Sequence, residues 1–136
     1  MIRFGVLGSG YRASLYFRIA KALPEQFEIC MVLCHSEESA CRVKEKVDFP
    51  VTCKEEDMIN SKPDFVVSAV TKTLMCDTVE KWLNIGIPVL SETPVSLDNG
   101  RLFQVWENIK NNNYTCNKLQ VAEQYAFYPT YDARIQ

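Results

Sequence analysis

The chain has 136 residues, of which 47% are hydrophobic and 24% are charged, values typical of a single globular domain with a sizeable core. Its net charge of −2 lacks the basic excess of proteins that bind nucleic acid or an anionic membrane surface. No apolar run approaches the length of a membrane span, and the N-terminus lacks the pattern of a secretory signal. We therefore expect a cytoplasmic protein with neither nucleic acid nor membrane as a partner.

The N-terminal residues predict a strand, a tight glycine turn and a helix. The short apolar run at residues 2–7 leads directly into Gly8-Ser9-Gly10-Tyr11-Arg12-Ala13. This pattern, G-x-G-x-x-A, is a form of the dinucleotide-binding fingerprint. Gly8 would allow the turn, Gly10 would leave room for a pyrophosphate, and Ala13 would let the helix pack closely on the strand.

The first turn of this helix is a candidate phosphate site. A helix N-terminus presents free N–H groups and a partial positive charge to an anion. We expect Gly8, Ser9, Gly10, Tyr11 and Arg12 to contact the cofactor. For Arg12, a position on the exposed surface of the first helical turn is an equally good interpretation.

The rest of the chain alternates between strand-like and helix-like segments. After a first helix at 11–23, the pattern predicts strands at 27–33, 51–53, 65–70, 88–91 and 119–123. Helices are predicted at 37–47, 55–60 and 73–84, and from a cap at Ser96 or Asp98 to Lys110. This alternation predicts an α/β fold, with a doubly wound, mainly parallel sheet and helices on both faces. Ligands of such folds bind at the carboxyl ends of the strands, near the topological switch point.

Six cysteines raise the question of a metal site or a disulfide. They are Cys30, Cys34, Cys41, Cys53, Cys76 and Cys116. No two form C-x-x-C and His35 is the only histidine, whereas zinc sites usually need closely spaced pairs of ligands. We expect no metal, and we interpret the cysteines as reduced, small core residues. Cys30 and Cys34 are separated by an even number of positions on one predicted strand, so we expect their side chains to face the same side of the sheet.

The C-terminal residues predict a connection to another unit. The segment 126–136 is rich in aromatic residues and has the composition of an additional helix. We expect a dinucleotide-binding domain at residues 1–124, and we expect residues 125–136 to begin the crossover to a second domain absent from this chain.

Four segments in this order resemble the N-terminal half of the glucose–fructose oxidoreductase and inositol dehydrogenase family. The first is the glycine turn, and the second is Lys62-Pro63-Asp64-Phe65-Val66-Val67. The third, Gly86-Ile87-Pro88-Val89-Leu90-Ser91-Glu92-Thr93-Pro94, is similar to the family's gly-x-x-val-x-x-glu-lys-pro segment. The fourth combines Val121-Ala122-Glu123 with Phe127-x-Pro129.

The resemblance implies the nucleotide-binding Rossmann domain of an NAD(P)-dependent oxidoreductase. Hydride would pass between C4 of the nicotinamide and a carbinol carbon of a sugar-like or polyol substrate. A second domain would hold most of the substrate site and would make the protein a homo-oligomer. The resemblance places five further residues at the cofactor: Val70, Thr71, Glu92, Thr93 and Pro94.

Several positions depart from the family pattern. Thr93 occupies the position of the family lysine, so the catalytic residue is unknown, and a threonine hydroxyl carries no charge. Thr71 stands where proline is common, Met75 where histidine is common, and Ala126 where arginine is common. Two explanations remain open. Either a variant active site is completed by the second domain, or the chain is a non-catalytic nucleotide-binding or regulatory module. In both cases we expect this fragment alone to be inactive.

The end of the second strand bears on the choice between NAD and NADP. An acidic residue there would hold both ribose hydroxyls and select NAD. The chain instead has Cys34 followed by His35 and Ser36, which favours a 2′-phosphate and hence NADP. Arg42 or Lys44 would be the nearest cations to such a phosphate, although both also fit a solvated helix face.

Overall fold

A computed structural model describes residues 1–112 and 118–123. Strands and helices alternate throughout this part of the chain. In order they are β1 (Ile2–Leu7), α1 (Tyr11–Ala22), β2 (Phe27–Leu33), α2 (Glu37–Lys44), β3 (Val51–Thr52), α3 (Glu55–Asn60), β4 (Phe65–Ser68), α4 (Lys72–Ile85), β5 (Val89–Ser91), α5 (Asn99–Asn111) and β6 (Leu119–Val121).

The six strands form one sheet in the order β3-β2-β1-β4-β5-β6. Every neighbouring pair is parallel. The first half of the chain winds outward from β1 and the second half from β4, so the strand order reverses between these two central strands. The predicted doubly wound parallel sheet is confirmed, with its switch point between β1 and β4.

Two hydrophobic clusters cover the two faces of the sheet. Beneath α1 and α2, buried residues such as Phe17 and Val43 pack on Val6 and Val32. On the opposite face, Met58 of α3 and the Val79 and Trp82 side chains of α4 pack on the other side of the strands. Helices therefore lie on both faces, and the strand ends between them remain available for a site.

Several elements are shorter than predicted. Strand β4 stops at Ser68 rather than at residue 70, since its register partners Leu7 and Ser91 are the last residues of β1 and β5. Helix α2 ends at Lys44 rather than at residue 47, and β6 ends at Val121 rather than at residue 123.

The structure distinguishes between the two residues predicted as the N-cap of α5. Asp98 is the cap, and its Oδ1 accepts a hydrogen bond from the Arg101 N–H at 2.6 Å. Ser96 lies just outside the helix, where its hydroxyl accepts from the Asp98 N–H at 3.1 Å.

The prediction that Cys30 and Cys34 face the same side of the sheet is wrong. The pairing of β1 with β2 shifts register, because Phe4 pairs with Ile29 while Gly5 pairs with Met31. The register therefore passes over Cys30, which is paired with no residue of β1. Its Sγ lies 3.4 Å from the hydroxyl of Ser61, the residue that follows α3. Cys34 belongs to the cluster beneath α1 and α2. Such an irregularity reverses the alternation of side chains along a strand.

Some predictions lie outside the described residues. These are the crossover at 125–136, the family positions at Ala126 and Phe127-x-Pro129, and the thiol of Cys116. Within residues 1–112 and 118–123, no helix is long and apolar enough to cross a membrane. In the same ranges, the His, Cys, Asp and Glu side chains form no group of three or more that could hold a metal ion.

Candidate nucleotide-binding site

The predicted cofactor residues follow four neighbouring strands at one edge of the sheet. Strands β2, β1, β4 and β5 are adjacent and parallel, so their carboxyl ends meet at the same edge. After these strands come, respectively, residues 35–36, 8–12, 70–71 and 92–94. The structure therefore brings all of the predicted segments to the edge that carries the switch point.

Gly8 forms the sharp turn that ends β1. Its φ is +117°, a conformation that side chains rarely adopt, and its N–H donates to the Leu33 carbonyl oxygen at 2.9 Å. A Cβ at this position would lie 2.6 Å from the Ala69 carbonyl oxygen. Glycine is thus required here by the chain's own backbone, through the close approach of the turn to the end of β4.

Gly10 is different, because nothing in the described structure requires it to be glycine. It is the N-cap of α1 in an extended conformation, with φ −84° and ψ −171°. A Cβ added to it would meet no atom within 4 Å. The open space lies at a helix N-terminus that has neither a side-chain cap nor an acidic residue in its first turn. This arrangement leaves backbone N–H groups for an anionic ligand.

A cavity of about 520 Å³ extends from the glycine turn along the groove between α1 and α2. The end next to the glycine turn is lined by Ser9, Gly10 and Tyr11 together with Ser39 and Arg42 of α2. The end farther from the turn is lined by the cations Arg18, Lys21 and Lys46, and no acidic side chain contributes to the lining of this cavity. The groove therefore has a positive character, although the chain as a whole has a net charge of −2.

The residues after β2 are held by the start of α2. Ser36 is the N-cap, and its hydroxyl accepts from the Ser39 N–H at 3.2 Å while the Ser39 hydroxyl accepts from the Ser36 N–H at 3.2 Å. His35 is exposed, with Nδ1 3.4 Å from the Ser39 hydroxyl. The Ser36 hydroxyl thus already has a structural role, and His35 has the more accessible side chain of the two.

The residues after β4 are the start of α4. Val70 is half-buried, and Thr71 is the exposed N-cap, whose Oγ1 lies 3.4 Å from the Thr73 hydroxyl. Met75 is buried, and its Sδ accepts a hydrogen bond from the Ser68 hydroxyl at 3.1 Å. The side chain at this family histidine position therefore packs in the core beneath α4.

Glu92 is the main polar residue after β5. Only 4% of it is exposed, and its N–H donates to the Ser68 carbonyl oxygen at 3.0 Å. Its Oε2 accepts hydrogen bonds from two guanidinium nitrogens of Arg12, with the Nε contact at 2.9 Å. Its Oε1 accepts from the Tyr16 hydroxyl at 2.6 Å. The carboxylate is thereby fixed to the first two turns of α1.

The sequence did not predict this cluster of Arg12, Tyr16 and Glu92, and for Arg12 it left open a contact with the cofactor or an exposed position on the first helical turn. The only sequence signal for it was the i, i+4 spacing of Arg12 and Tyr16, which places both side chains on one face of α1. The hydrogen bond to Glu92 raises the pKa of Arg12, which therefore remains a cation. Burial, together with the hydrogen bond to Glu92, raises the pKa of Tyr16, so its hydroxyl keeps its proton and acts as a donor.

A second cavity, of about 500 Å³, lies beside this cluster. Arg12, Tyr16 and Glu92 line it together with Gln120 and Glu123 at the end of β6. Thr93 is exposed and Pro94 is half-buried at the same strand edge. The first cavity thus adjoins the glycine turn, and the second has Glu92 in its lining.

Comparisons with known proteins agree with this geometry. A model of the oxidoreductase family with an NAD-binding Rossmann fold matches residues 2–119. A comparison with the curated proteins gave no significant match.

Solved structures with the same fold include scyllo-inositol dehydrogenase from Lactobacillus casei with bound NAD(H) and scyllo-inositol. It is 18% identical, has a TM-score of 0.81, and is matched over 98% of this chain and 39% of its own. The WlbA dehydrogenase from Chromobacterium violaceum, in complex with NADH and UDP-GlcNAcA, is 17% identical with a TM-score of 0.82, over 97% and 38% of the two chains. UDP-N-acetylglucosamine 3-dehydrogenase GnnA from Acidithiobacillus ferrooxidans is 16% identical with a TM-score of 0.79, over 99% and 42%.

The present chain thus spans about two fifths of the length of these structures. Because the identities are low, the structural matches show only the fold, whereas the match to the family model shows the family. The predicted resemblance to the glucose–fructose oxidoreductase and inositol dehydrogenase family is confirmed: the chain belongs to the oxidoreductase family with an NAD-binding Rossmann fold.

Proposed function

We propose that this chain is the cofactor-binding part of an oxidoreductase that transfers hydride between a nicotinamide dinucleotide and a sugar-like or polyol substrate. The observation that carries the proposal is the open space at Gly10, at the uncapped N-terminus of α1 beside the switch point. Two structural neighbours contain a nicotinamide cofactor together with an inositol or a UDP-sugar, which supports the substrate class.

The described residues fit an extended dinucleotide lying across the strand ends. Backbone N–H groups of the turn and of α1 would hold the pyrophosphate, beside Ser9 and Tyr11. The adenosine ribose would lie at His35 and Ser36, and the nicotinamide end would lie toward Glu92, Thr93 and Pro94, with Val70 and Thr71 between them. The nicotinamide supplies hydride chemistry when bound. This chain would position the cofactor and provide a fixed carboxylate, since Arg12 and Tyr16 hold the Glu92 side chain in one place.

Substrate binding and assembly would depend on a second domain. We infer that residues 125–136 lead into it, because the chain spans about two fifths of the structures that it matches. That domain would complete the substrate site and form the contacts of a homo-oligomer in the cytoplasm. The 136-residue chain would then bind the cofactor without turning over a substrate.

Thr93 is the specific observation behind the second candidate function, a non-catalytic nucleotide-binding module. Its exposed hydroxyl stands at the family lysine position, where it offers hydrogen bonds without charge. Redox turnover by the full-length gene product with inositols and UDP-sugars distinguishes the two. Turnover with any of them supports the oxidoreductase, and cofactor binding without turnover supports the module.

The cofactor that we favour is NADP. The three residues that directly follow β2, Cys34 to Ser36, include no carboxylate, and Arg42 lines the same cavity as the glycine turn and Ser39. Arg42 is exposed and makes no ion pair among the described residues, so its guanidinium is available to a 2′-phosphate.

We predict that Arg42→Gln weakens NADP binding by roughly tenfold, the value of one charge-assisted hydrogen bond, and leaves NAD binding unchanged. Calorimetric titration of both variants with both nucleotides measures this, and NAD is the internal control. Equal or tighter binding of NAD by the native chain would contradict the preference.

A further inference from the structure

Two thiols lie side by side at the carboxyl ends of β2 and β3. The register of this strand pair places Val32 opposite Val51 and Leu33 opposite Thr52. The ladder continues one step further, because the Cys34 N–H donates to the Thr52 carbonyl oxygen at 2.9 Å. Cys34 is therefore the residue next in register with Cys53.

Both side chains point to the same face of the sheet. Cys34 is buried within the cluster beneath α1 and α2, and Cys53 packs against that cluster with part of its surface exposed. Neighbouring strands lie about 4.8 Å apart, within the roughly 4.4–6.8 Å that separates the Cα atoms of a disulfide. The backbone thus needs little movement to bring the two sulfurs together.

The other described thiols lack this relation. Cys30 is on the opposite face beside Ser61, Cys76 is buried on α4, and Cys41 is exposed on the surface of α2. Burial raises the pKa of both Cys34 and Cys53; Cys53 adds to the rise at Cys34, while Glu37 and, to a smaller extent, Cys41 add to the rise at Cys53. We therefore expect this pair to oxidise more slowly than an exposed thiol, beginning at the more accessible Cys53.

We propose that Cys34 and Cys53 are a reversible oxidation site, which a two-electron oxidant converts to an intramolecular disulfide that weakens cofactor binding. With the diazene diamide as oxidant, each thiol loses one proton and one electron as the S–S bond forms. Diamide accepts the two protons and two electrons and becomes the hydrazine. The effect on the cofactor rests on the proposed function, because His35 and Ser36 directly follow Cys34, and the disulfide would tie the residue before them to β3.

The test begins with oxidation of the 136-residue chain by diamide, blocking of the remaining thiols, and peptide mapping by mass spectrometry without reduction. The expected product has lost two hydrogen atoms, links the peptides of Cys34 and Cys53, and is reversed by dithiothreitol. Cys53→Ser should abolish the product, while the matched control Cys41→Ser should leave it intact. No intramolecular disulfide, or a linkage between any other pair, would overturn the proposal.

The second arm compares the reduced and oxidised chains in calorimetric titrations with NADP and with NAD. We expect the oxidised chain to bind at least about fivefold more weakly, the lower end of typical coupling between two sites. Equal affinity would overturn the effect on the cofactor. If the reduced chain binds no dinucleotide, the proposed function is contradicted, whereas the disulfide is decided independently by the peptide map.

Discussion

Replacement of Gly8 by alanine is expected to lower the free energy of unfolding by about 3 kcal/mol or more. Two costs combine in this variant. Alanine must adopt a φ of +117°, and its Cβ must lie 2.6 Å from the Ala69 carbonyl oxygen unless the backbone moves. Because the neighbouring atom belongs to the backbone of a buried segment, it cannot move aside as a flexible side chain can. Urea unfolding followed by circular dichroism measures the loss.

The matched control is Gly10→Ala, two residues away in the same turn. Its φ of −84° suits any residue, and its Cβ meets open space, so we expect a change within about 0.5 kcal/mol. We therefore expect the two glycines of the fingerprint to differ, with Gly8 required by the fold and Gly10 free to serve the proposed ligand. Equal destabilisation by both substitutions would show that this division is wrong.

The second large effect concerns the carboxylate of Glu92. The variant Arg12→Met keeps much of the apolar side chain but leaves Glu92 nearly buried, with Tyr16 as its remaining side-chain donor. Removing one partner of a buried ion pair typically costs about 3–5 kcal/mol. The Arg12 side chain is 45% exposed, which lowers the expected cost to about 2 kcal/mol.

Arg18→Met is the control for this experiment, since Arg18 lies on the same helix, is exposed, and forms no ion pair in the described part of the chain. We expect it to change the free energy of unfolding by less than about 0.5 kcal/mol. Thermal or urea unfolding of the two variants decides the matter. An Arg12→Met variant as stable as Arg18→Met would mean that the ion pair contributes nothing to the fold.

Much of the fold was predictable because local signals agreed with each other. The glycine turn, the buried run at β4 and the αL residue Gly86 after α4 each marked a boundary, and strand–helix alternation implied parallel pairing. The errors occurred where neighbouring strands decide the outcome. The length of β4 depends on where β1 and β5 end, and the facing of Cys30 depends on a register shift with β1. Neither is visible in the local sequence.

The meeting of the candidate segments at one edge of the sheet was predictable, because parallel strands bring their carboxyl ends together. Partners of individual side chains were not predictable. Arg12 meets a carboxylate 80 positions away, a contact that depends on how α1 packs against the sheet. Sequence patterns could name Glu92 through the family resemblance, but only the packing of α1 against the end of β5 shows what holds it.

Calorimetric titration of the native chain and of Gly10→Val with NAD, NADH, NADP and NADPH decides whether the glycine turn binds a nicotinamide dinucleotide. The open space at Gly10 predicts that the variant remains folded while its valine side chain fills the room left for the pyrophosphate. We therefore expect the native chain to bind at least one of the four nucleotides, and Gly10→Val to bind it at least about tenfold more weakly, a difference of roughly 1.4 kcal/mol. Absence of binding by the native chain, or equal binding by a folded Gly10→Val, would contradict binding at this turn.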